Sequence, residues 1–209
     1  MNKRWLYNFY HTLNLLSLLK EIIMRIIFIA ALIIYYALDF FILIRLFAQK
    51  NLINFKHDFT DFLASSALLL IIYYFKIRVP YVVLIFYIMA LLINSLFGYY
   101  LDYFNKSKYF DRYLHGYSSF AFSLLFYFII ISFINSGGSK IFQALFISFL
   151  GITIGVIFEI FEFLNDIKQN NPKTQRSLMQ KSLNDTDFDL IFNIIGSVSG
   201  AVFAYFIYL

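Results

Sequence analysis

Long apolar stretches, each bounded by short clusters of polar and charged residues, recur along this 209-residue chain. Several are close to the ~20 residues that a helix needs to cross the hydrocarbon core of a membrane. They are apolar on every face and lack the alternation of strands in a membrane barrel. We therefore predict six membrane-spanning helices, at residues 26–48, 59–75, 79–98, 113–135, 141–163 and 187–208.

The N-terminal segment, residues 1–21, has a different pattern, because basic residues are mixed with aromatic residues and leucines. This mixture is typical of an amphipathic helix lying in the membrane interface. A signal peptide is the competing interpretation, since a basic start precedes an apolar run. No small-residue cleavage site follows, and residues 26–48 are long enough to span, so we favour the interfacial helix. We predict a single all-α transmembrane domain over 1–209, with a six-helix bundle at 26–208.

Composition supports a membrane protein. Hydrophobic residues make up 61% of the chain and charged residues 14%, whereas roughly 25% charge is usual in soluble domains. The chain has no cysteine, which excludes disulfides and Cys-ligated metal sites. The net charge of +5 is spread thinly and suits anionic lipid headgroups. We expect a multi-pass protein of the bacterial plasma (inner) membrane, with membrane lipids and no nucleic acid as partners.

Acidic residues gather at the ends of the last three predicted helices, and these ends all fall on one face of the membrane. The fourth helix begins with a polar stripe at four-residue intervals, formed by Asp111, His115, Ser119 and Ser123. The fifth ends with Glu159 and Glu162, and the sixth begins with Asp185, Asp189 and Asn193. Charged groups are costly in or near hydrocarbon unless they are paired, so this convergence predicts a shared polar site.

Glycines spaced four residues apart predict how the last two helices pack. Gly151 and Gly155 lie on the fifth helix, and Gly196 and Gly200 lie on the sixth. Because such pairs let two helix backbones approach closely, we expect the two pairs to meet near the middle of the membrane.

Two acidic residues lie on other helices. Asp61, at the start of the second helix, is on the same side as the cluster and could join it. Asp39 lies deeper, in the first helix, and a polar residue of another helix such as Asn94 is a candidate partner.

A divalent cation would relieve the repulsion among these carboxylates, because Asp, Glu, Asn and His are ligands of Mg²⁺, Mn²⁺ and Zn²⁺. The predicted metal ligands are Asp111, His115, Glu159, Glu162, Asp185 and Asp189, with Asn193 and Asp61 in supporting positions. For catalysis we expect His115, Asp111 and Glu162 to act. Asp111 lies one turn before His115 and could orient that imidazole as a general base.

Each element also has a plainer interpretation. A histidine near a helix start is more often a capping or interfacial residue than a ligand, and aspartates are ordinary in the first turn of a helix. The glycine pairs fit simple packing. Glu159 is harder to explain, because it lies inside an apolar run near the C-terminal end of a helix, which disfavours anions. Convergence on one side is what favours a shared site.

Three motifs carry a family resemblance, namely Phe110-Asp111-Arg-Tyr-Leu-His115-Gly116, Glu159-Ile-Phe-Glu162-Phe163 and Asp185-Thr186-Asp-Phe-Asp189. Over residues 60–209 the chain resembles the YjdF-like family of bacterial inner-membrane proteins and, more distantly, the VanZ-like proteins. The family pattern has Trp where Phe163 stands and an aromatic residue where Gly116 stands, and the connection 164–184 is not similar. The resemblance implies a compact six-helix membrane protein and brings no firm activity. VanZ-like relatives are associated with glycopeptide resistance.

Three functions fit these features. The first is a metal-dependent hydrolase or transferase acting on a lipid or lipid-linked headgroup. The second is a non-catalytic membrane factor whose polar cluster fixes helix packing or binds a partner protein. The third is a proton- or cation-coupled transporter, against which the absence of a detectable inverted repeat argues.

Overall fold

The computed structural model describes residues 3–134, 138–168 and 182–209, with side chains from residue 15 onward except at 168, and it contains no strand in these ranges. Its helices are α1 (Lys3–Ala48), α2 (Leu52–Tyr74), α3 (Tyr81–Ile93), α4 (Tyr103–Lys106), α5 (Phe110–Ile131), α6 (Lys140–Lys168) and α7 (Leu183–Ile207). A π-helical segment, π1 (Asn94–Tyr100), follows α3 directly. The prediction of an all-α polytopic membrane protein is confirmed.

Five helical stretches in the described residues are long and apolar enough to cross a membrane: Leu15–Ala48, Tyr81–Tyr100, Phe110–Ile131, Lys140–Ile167 and Leu183–Ile207. The predicted span at 59–75 is not among them. It lies in α2, which has sufficient length but carries Asp58 and Asp61 in its polar first turns. At that polar end, the ring of His57 stacks on Tyr99, where π1 closes. Five of the six predicted spans therefore correspond to helices that are long and apolar enough to cross a membrane, and the span at 59–75 does not.

Helix α1 is longer than the sequence analysis predicts. The predicted interfacial helix at 1–21 and the span at 26–48 belong, from Lys3 onward, to one uninterrupted helix. At 1.5 Å per residue it is about 69 Å long, well beyond the ~30 Å thickness of hydrocarbon. The position of its N-terminal part in the membrane interface stays a prediction.

Local signals fix where the later helices begin. Asn51 caps α2 by accepting a hydrogen bond from the backbone N–H of Asn54 at 3.3 Å. Pro80 precedes α3, where its fixed φ and missing N–H suit a helix start. Ser182 caps α7 by accepting from the N–H of Asp185 at 3.2 Å. Such caps satisfy N–H groups that the helix itself leaves without partners.

Successive long helices run in opposite directions and form two halves. Helices α1 and α2 pack together with α3 and π1 in the first half, and α5, α6 and α7 pack together in the second. The halves are joined by contacts between α3 and α5. An aromatic cluster lies at this junction, where Phe86 contacts Phe120 and Phe203 with ring centroids 5.1 and 5.6 Å apart.

Glycines allow the second half to pack closely, but in a different arrangement from the predicted one. A methyl group at Gly196 of α7 would collide with the backbone oxygen of Gly116 on α5. A methyl group at Gly155 of α6 would lie 2.6 Å from Cγ of Asn193. The prediction that the glycine pairs of α6 and α7 meet each other is therefore wrong. The glycines of α6 pack against Asn193 and Ser197 of α7, whereas those of α7 pack against α5.

Candidate functional site

Nearly all of the acidic residues lie toward one end of the bundle. The chain has 12 Asp and Glu residues, and all except Glu21 lie at or near the ends of α1, π1 and α6 and the starts of α2, α5 and α7. These helix ends are adjacent because the helices alternate in direction. The convergence that the sequence analysis predicts for the last three helices is present, and carboxylates of the first half extend it.

Asp111, His115 and Asp189 form the most compact group of potential metal ligands in the described residues, which we call the Asp–His centre. One ligand atom from each residue lies within 4.8 Å of the others. Asp111 and His115 lie one turn apart on α5, and Asp189 reaches them from the first turns of α7. Ligand atoms around one metal ion are typically ~3–4 Å apart, since each is ~2 Å from the ion. The group is therefore close to metal-binding dimensions.

Glu159 adds a third helix to this centre. Its Oε1 lies 3.7 Å from Nε2 of His115, the same distance that separates this nitrogen from Oδ1 of Asp111. Glu159 and Asp189 are only 4% and 3% exposed. Such burial is rare for carboxylates that have no compensating charge. The imidazole of His115 thus lies between two carboxylates, one on its own helix and one on α6.

Arg112 is a nearby positive charge for Asp189. Its guanidinium lies over the ring of Phe188, 4.1 Å from the centroid. Oδ1 of Asp189 is buried and makes no hydrogen bond within the described part of the chain. That oxygen is consequently available to a ligand such as a metal ion.

Asn193 supports the centre from one turn deeper in α7. Ser119 of α5 donates a hydrogen bond to its Oδ1 at 2.7 Å, and both side chains are buried. Among the described residues, no group accepts a hydrogen bond from Nδ2 of Asn193. Gly155 makes room for this amide, as the collision described above indicates. The polar stripe of α5 therefore continues across to α7, as its four-residue interval suggests.

The other predicted site residues occupy different positions. Glu162 lies close enough to Asp111, Glu159 and Asp189 for their charges to interact, and it lines a cavity described below. Asp185 lies in the first turn of α7, outside the Asp–His centre, where its N–H is held by the capping Ser182. This position fits the plainer interpretation of Asp185 as a helix-start residue.

Asp61 does not join the Asp–His centre. Its Oδ2 accepts hydrogen bonds from Nδ2 of Asn94 at 2.9 Å and from the hydroxyl of Tyr99 at 3.1 Å. Asn94, which the sequence analysis suggested as a partner of Asp39, is therefore bound to Asp61. The Asp61 side chain still faces the same cavity as Asp111 and His115.

A cavity of about 1150 Å³ separates α2 from α5 and α6. Its polar end is lined by Asn54, Asp61, Asn94, Asp111, His115 and Glu162. Its apolar end is lined by Leu68, Phe122, Phe126, Ile154 and Phe158. From Asp111 to Phe126 the lining extends about 22 Å along α5, at 1.5 Å per residue. The cavity is thus long, polar near the bundle end and apolar toward the middle.

Sequence reasoning missed one group of polar residues in the first half. Asp39 of α1, Asp58 of α2 and Ser95 of π1 are each at most 3% exposed, and Ser95 lies beside both carboxylates. Asp58 stands three residues before Asp61, a spacing that places both on one side of α2. That spacing was the available signal. Nothing in the pattern of apolar residues indicates that Ser95 faces them.

Comparison with known proteins places the chain in a membrane protein family. A family model described as "Predicted membrane protein (DUF2238)" matches residues 21–208, and the chain belongs to this family. A Thermotoga maritima protein with the name "Uncharacterized protein" is 31% identical over 116 residues, which are 56% of this chain and 58% of that protein. The matching part of the chain thus spans less than two thirds of that relative. No solved structure matches this chain.

Proposed function

We propose that this protein is a divalent-metal-dependent hydrolase or transferase of the bacterial plasma membrane, acting on the headgroup of a lipid or lipid-linked molecule. One observation supports this most strongly. Asp111, His115 and Asp189 bring their ligand atoms within 4.8 Å of one another, and the first two also line a cavity with a polar and an apolar end.

The donor set indicates which ions would bind. Two carboxylates and an imidazole suit Zn²⁺ or Mn²⁺, and Mg²⁺ less well, because Mg²⁺ prefers oxygen ligands. A bound ion of this kind lowers the pKa of water and stabilises negative charge on a phosphoryl or ester oxygen. Glu159 does not belong to the compact group, but its negative charge 3.7 Å from His115 favours a cation there.

The residues of the chain would divide the remaining work. Asp111, His115 and Asp189 hold the ion. Glu162, which lines the cavity, accepts the proton of the attacking water or hydroxyl group. The alternative arrangement, in which Asp111 orients His115 as the general base, uses the same contact at 3.7 Å. In the first arrangement His115 is a metal ligand and Glu162 is the general base. In the second, His115 is the general base, so the ion does not depend on it.

The cavity indicates the substrate class. A lipid has a polar headgroup and an apolar chain, and the cavity offers a polar end at Asp111 and Asp61 and an apolar end at Phe126 and Phe158. A headgroup at the polar end would lie beside the Asp–His centre while its chain lies along α5. Water-soluble substrates would leave the apolar end without a role.

The motifs of the YjdF-like resemblance agree with this location. Two of them contribute the residues of the Asp–His centre, and the third, on α6, contributes Glu159 and Glu162. Membership of the more specific YjdF-like or VanZ-like groups is part of the proposal. It implies no particular activity.

Metal content is the direct test. The full chain is purified in detergent after growth with Mg²⁺, Mn²⁺ and Zn²⁺, and bound metal is measured by elemental analysis. We expect about one strongly bound ion of the Zn²⁺ or Mn²⁺ type per chain at the Asp–His centre. In Asp189→Asn we expect less than about a tenth of this, because losing one ligand weakens metal sites by at least the 10–100-fold seen for supporting residues.

Asp187→Asn is the matched control, because Asp187 lies two residues away on the same helix and is exposed. It should keep its metal. Wild-type protein without Zn²⁺ or Mn²⁺ would overturn the proposal, and so would equal metal content in both variants. With metal present, release of headgroups from mixed bacterial lipids would identify the substrate.

A non-catalytic role is the second candidate, and a specific contact favours it. The buried Ser119–Asn193 hydrogen bond makes the polar residues part of the packing between α5 and α7. If Glu159→Gln and Asp189→Asn leave the cellular phenotype intact while Gly155→Leu abolishes it, packing explains the polar residues better than catalysis. Transport has no supporting observation, because the carboxylates other than Glu21 all lie toward one end of the bundle.

A further inference from the structure

A second set of buried oxygens lies in the first half of the bundle, apart from the Asp–His centre. It consists of Asp39 on α1, Asp58 on α2 and Ser95 on π1, with exposed fractions of 1%, 1% and 3%. The set involves three separate elements, and Ser95 lies near both carboxylates. Asp39 and Asp58 lie close enough for their charges to repel.

These oxygens differ from those of Asp61, one turn further along α2. Oδ2 of Asp61 accepts two hydrogen bonds, from Asn94 and Tyr99. Oδ2 of Asp39, Oδ2 of Asp58 and Oγ of Ser95 make no hydrogen bond within the described part of the chain. Ser95 lies near both carboxylates without the geometry of a hydrogen bond to either.

Basic side chains do not compensate these carboxylates. Over the residues with described side chains, no Lys or Arg nitrogen lies within 4.0 Å of a carboxylate oxygen of Asp39 or Asp58. A buried carboxylate without a partner costs several kcal/mol, on the order of the penalty for an unpaired ion. Two such groups side by side would cost more. Either protons or a cation must therefore occupy the space between them.

We propose that Asp39, Asp58 and Ser95 bind a hard divalent cation of the Mg²⁺ or Ca²⁺ class. The donor set contains only oxygen atoms, which hard cations prefer, in contrast to the imidazole-containing set of the Asp–His centre. Two carboxylates balance the charge of one divalent ion. The hydroxyl of Ser95, which is buried near both carboxylates and makes no hydrogen bond in the described residues, would supply a neutral third ligand.

The position of the site gives the ion a structural consequence. Helix α2 packs mainly on α1 and π1, and it forms one wall of the cavity. An ion shared by α1, α2 and π1 would fix that wall relative to the rest of the bundle. Binding at this site would therefore stabilise the first half and set the width of the cavity, independently of the chemistry at the Asp–His centre.

The test counts hard ions per chain. Full-length protein in detergent is stripped with a chelator and dialysed against Ca²⁺ or Mg²⁺, and the bound ion is measured together with the thermal midpoint. We expect about one Ca²⁺ or Mg²⁺ per chain and a higher midpoint in wild type. Asp58→Asn and Asp39→Asn should each lose the ion and the shift. Asp61→Asn should retain the ion and the shift of the thermal midpoint, because Asn94 and Tyr99 keep an acceptor oxygen there.

Asp189→Asn separates the two sites. It should keep the Ca²⁺-dependent shift while losing the Zn²⁺ or Mn²⁺ of the Asp–His centre, so that either proposal can fail without the other. The inference is overturned if wild type binds no Ca²⁺ or Mg²⁺, or if Asp58→Asn retains the shift. A third outcome also overturns the inference. If Ca²⁺ and Mg²⁺ leave the thermal midpoint of wild type unchanged, and Asp58→Asn has a higher midpoint than wild type in chelator, then protons and not a cation neutralise the carboxyl groups. If one of Asp39→Asn and Asp58→Asn does not fold, the other variant still decides, and Asp189→Asn still shows whether the shift arises outside the Asp–His centre.

Discussion

The two groups of buried acidic residues lie toward the same end of the bundle, but in halves that are packed differently. In the second half, α5, α6 and α7 approach so closely that glycines are required at their contacts. In the first half, α2 packs mainly on α1 and π1 and borders a cavity of about 1150 Å³. The Asp–His centre therefore lies between helices in close backbone contact. The helices α1 and α2, which carry Asp39 and Asp58, are joined by side-chain hydrogen bonds.

This difference suggests a division of roles. A rigid centre keeps ligand atoms at fixed separations, which metal-assisted chemistry requires. A wall that depends on side-chain contacts can move when the proposed ion at Asp39 and Asp58 is absent, and entry of a long substrate into the cavity requires such movement.

The largest effect is expected for Gly196→Ala. The added methyl group collides with the backbone oxygen of Gly116. A side chain could avoid such a collision by changing rotamer, but a backbone atom cannot. Helices α5 and α7 must then separate, at a cost of about 3 kcal/mol or more. Unfolding of the detergent-solubilised protein by heat or SDS measures the loss, and the Asp–His centre should lose its metal in the same variant.

Two controls sharpen this prediction. Gly116→Ala places its methyl group 3.3 Å from a ring carbon of Phe192, which can shift slightly, so we expect a change within about 1 kcal/mol. Ala64→Leu in the first half adds bulk to an exposed residue of α2 that lines the cavity. It should leave stability within about 0.5 kcal/mol. Equal losses in Gly196→Ala and Ala64→Leu would contradict the contrast between the two halves.

The two halves also differ in how far sequence reasoning predicts them. Asp111 and His115 share one helix at a four-residue interval, so their common face follows from helix geometry alone. Asp189 joins them because α6 runs opposite to α5 and α7, which brings the start of α7 beside the start of α5. The contact of Gly196 with α5 did not follow from the sequence, because an apolar stretch does not show whether a glycine faces lipid or which helix it faces.

The group of buried polar residues in the first half could not be predicted for a different reason. Asp39, Asp58 and Ser95 each lie on a separate element, so no spacing relates them. The π-helical segment adds to the difficulty, because its wider turn changes which residues face α2. Asn94 and Ser95 are neighbours in sequence, yet one binds Asp61 and the other lies beside Asp39 and Asp58.

A smaller effect is expected for Asp61→Ala. This change removes the acceptor of Asn94 and Tyr99, and unsatisfied polar groups away from water cost about 1–3 kcal/mol. Asp61→Asn keeps an acceptor oxygen and should lose less than about 1 kcal/mol. Unfolding measurements compare the two variants. Metal at the Asp–His centre should be unchanged in both, and its loss in Asp61→Ala would show that the two halves are coupled across the cavity.

The smallest effect is expected where hydroxyl groups join α1 to α2. Tyr35 and Ser65 form a hydrogen bond of 2.9 Å and are both 1% exposed. Tyr36 donates to Ser66 at 3.2 Å in a half-buried position. Hydrogen bonds between membrane helices contribute about 0.6 kcal/mol on average and at most about 1.7. We therefore expect Tyr35→Phe to lower the free energy of unfolding by about 1 kcal/mol.

Tyr36→Phe is the matched control, because it removes the same group from the neighbouring residue, and it should cost about half as much. If Tyr35→Phe also widens the cavity, a spin label pair on α2 and α6 will show a broader distance distribution, whereas Tyr36→Phe will leave that distribution nearly unchanged. A loss above about 3 kcal/mol for Tyr35→Phe would contradict the contrast. Substitution at the contact between α1 and α2 would then cost as much free energy of unfolding as substitution at the contact between Gly196 and Gly116. In that case α2 could not serve as the movable wall.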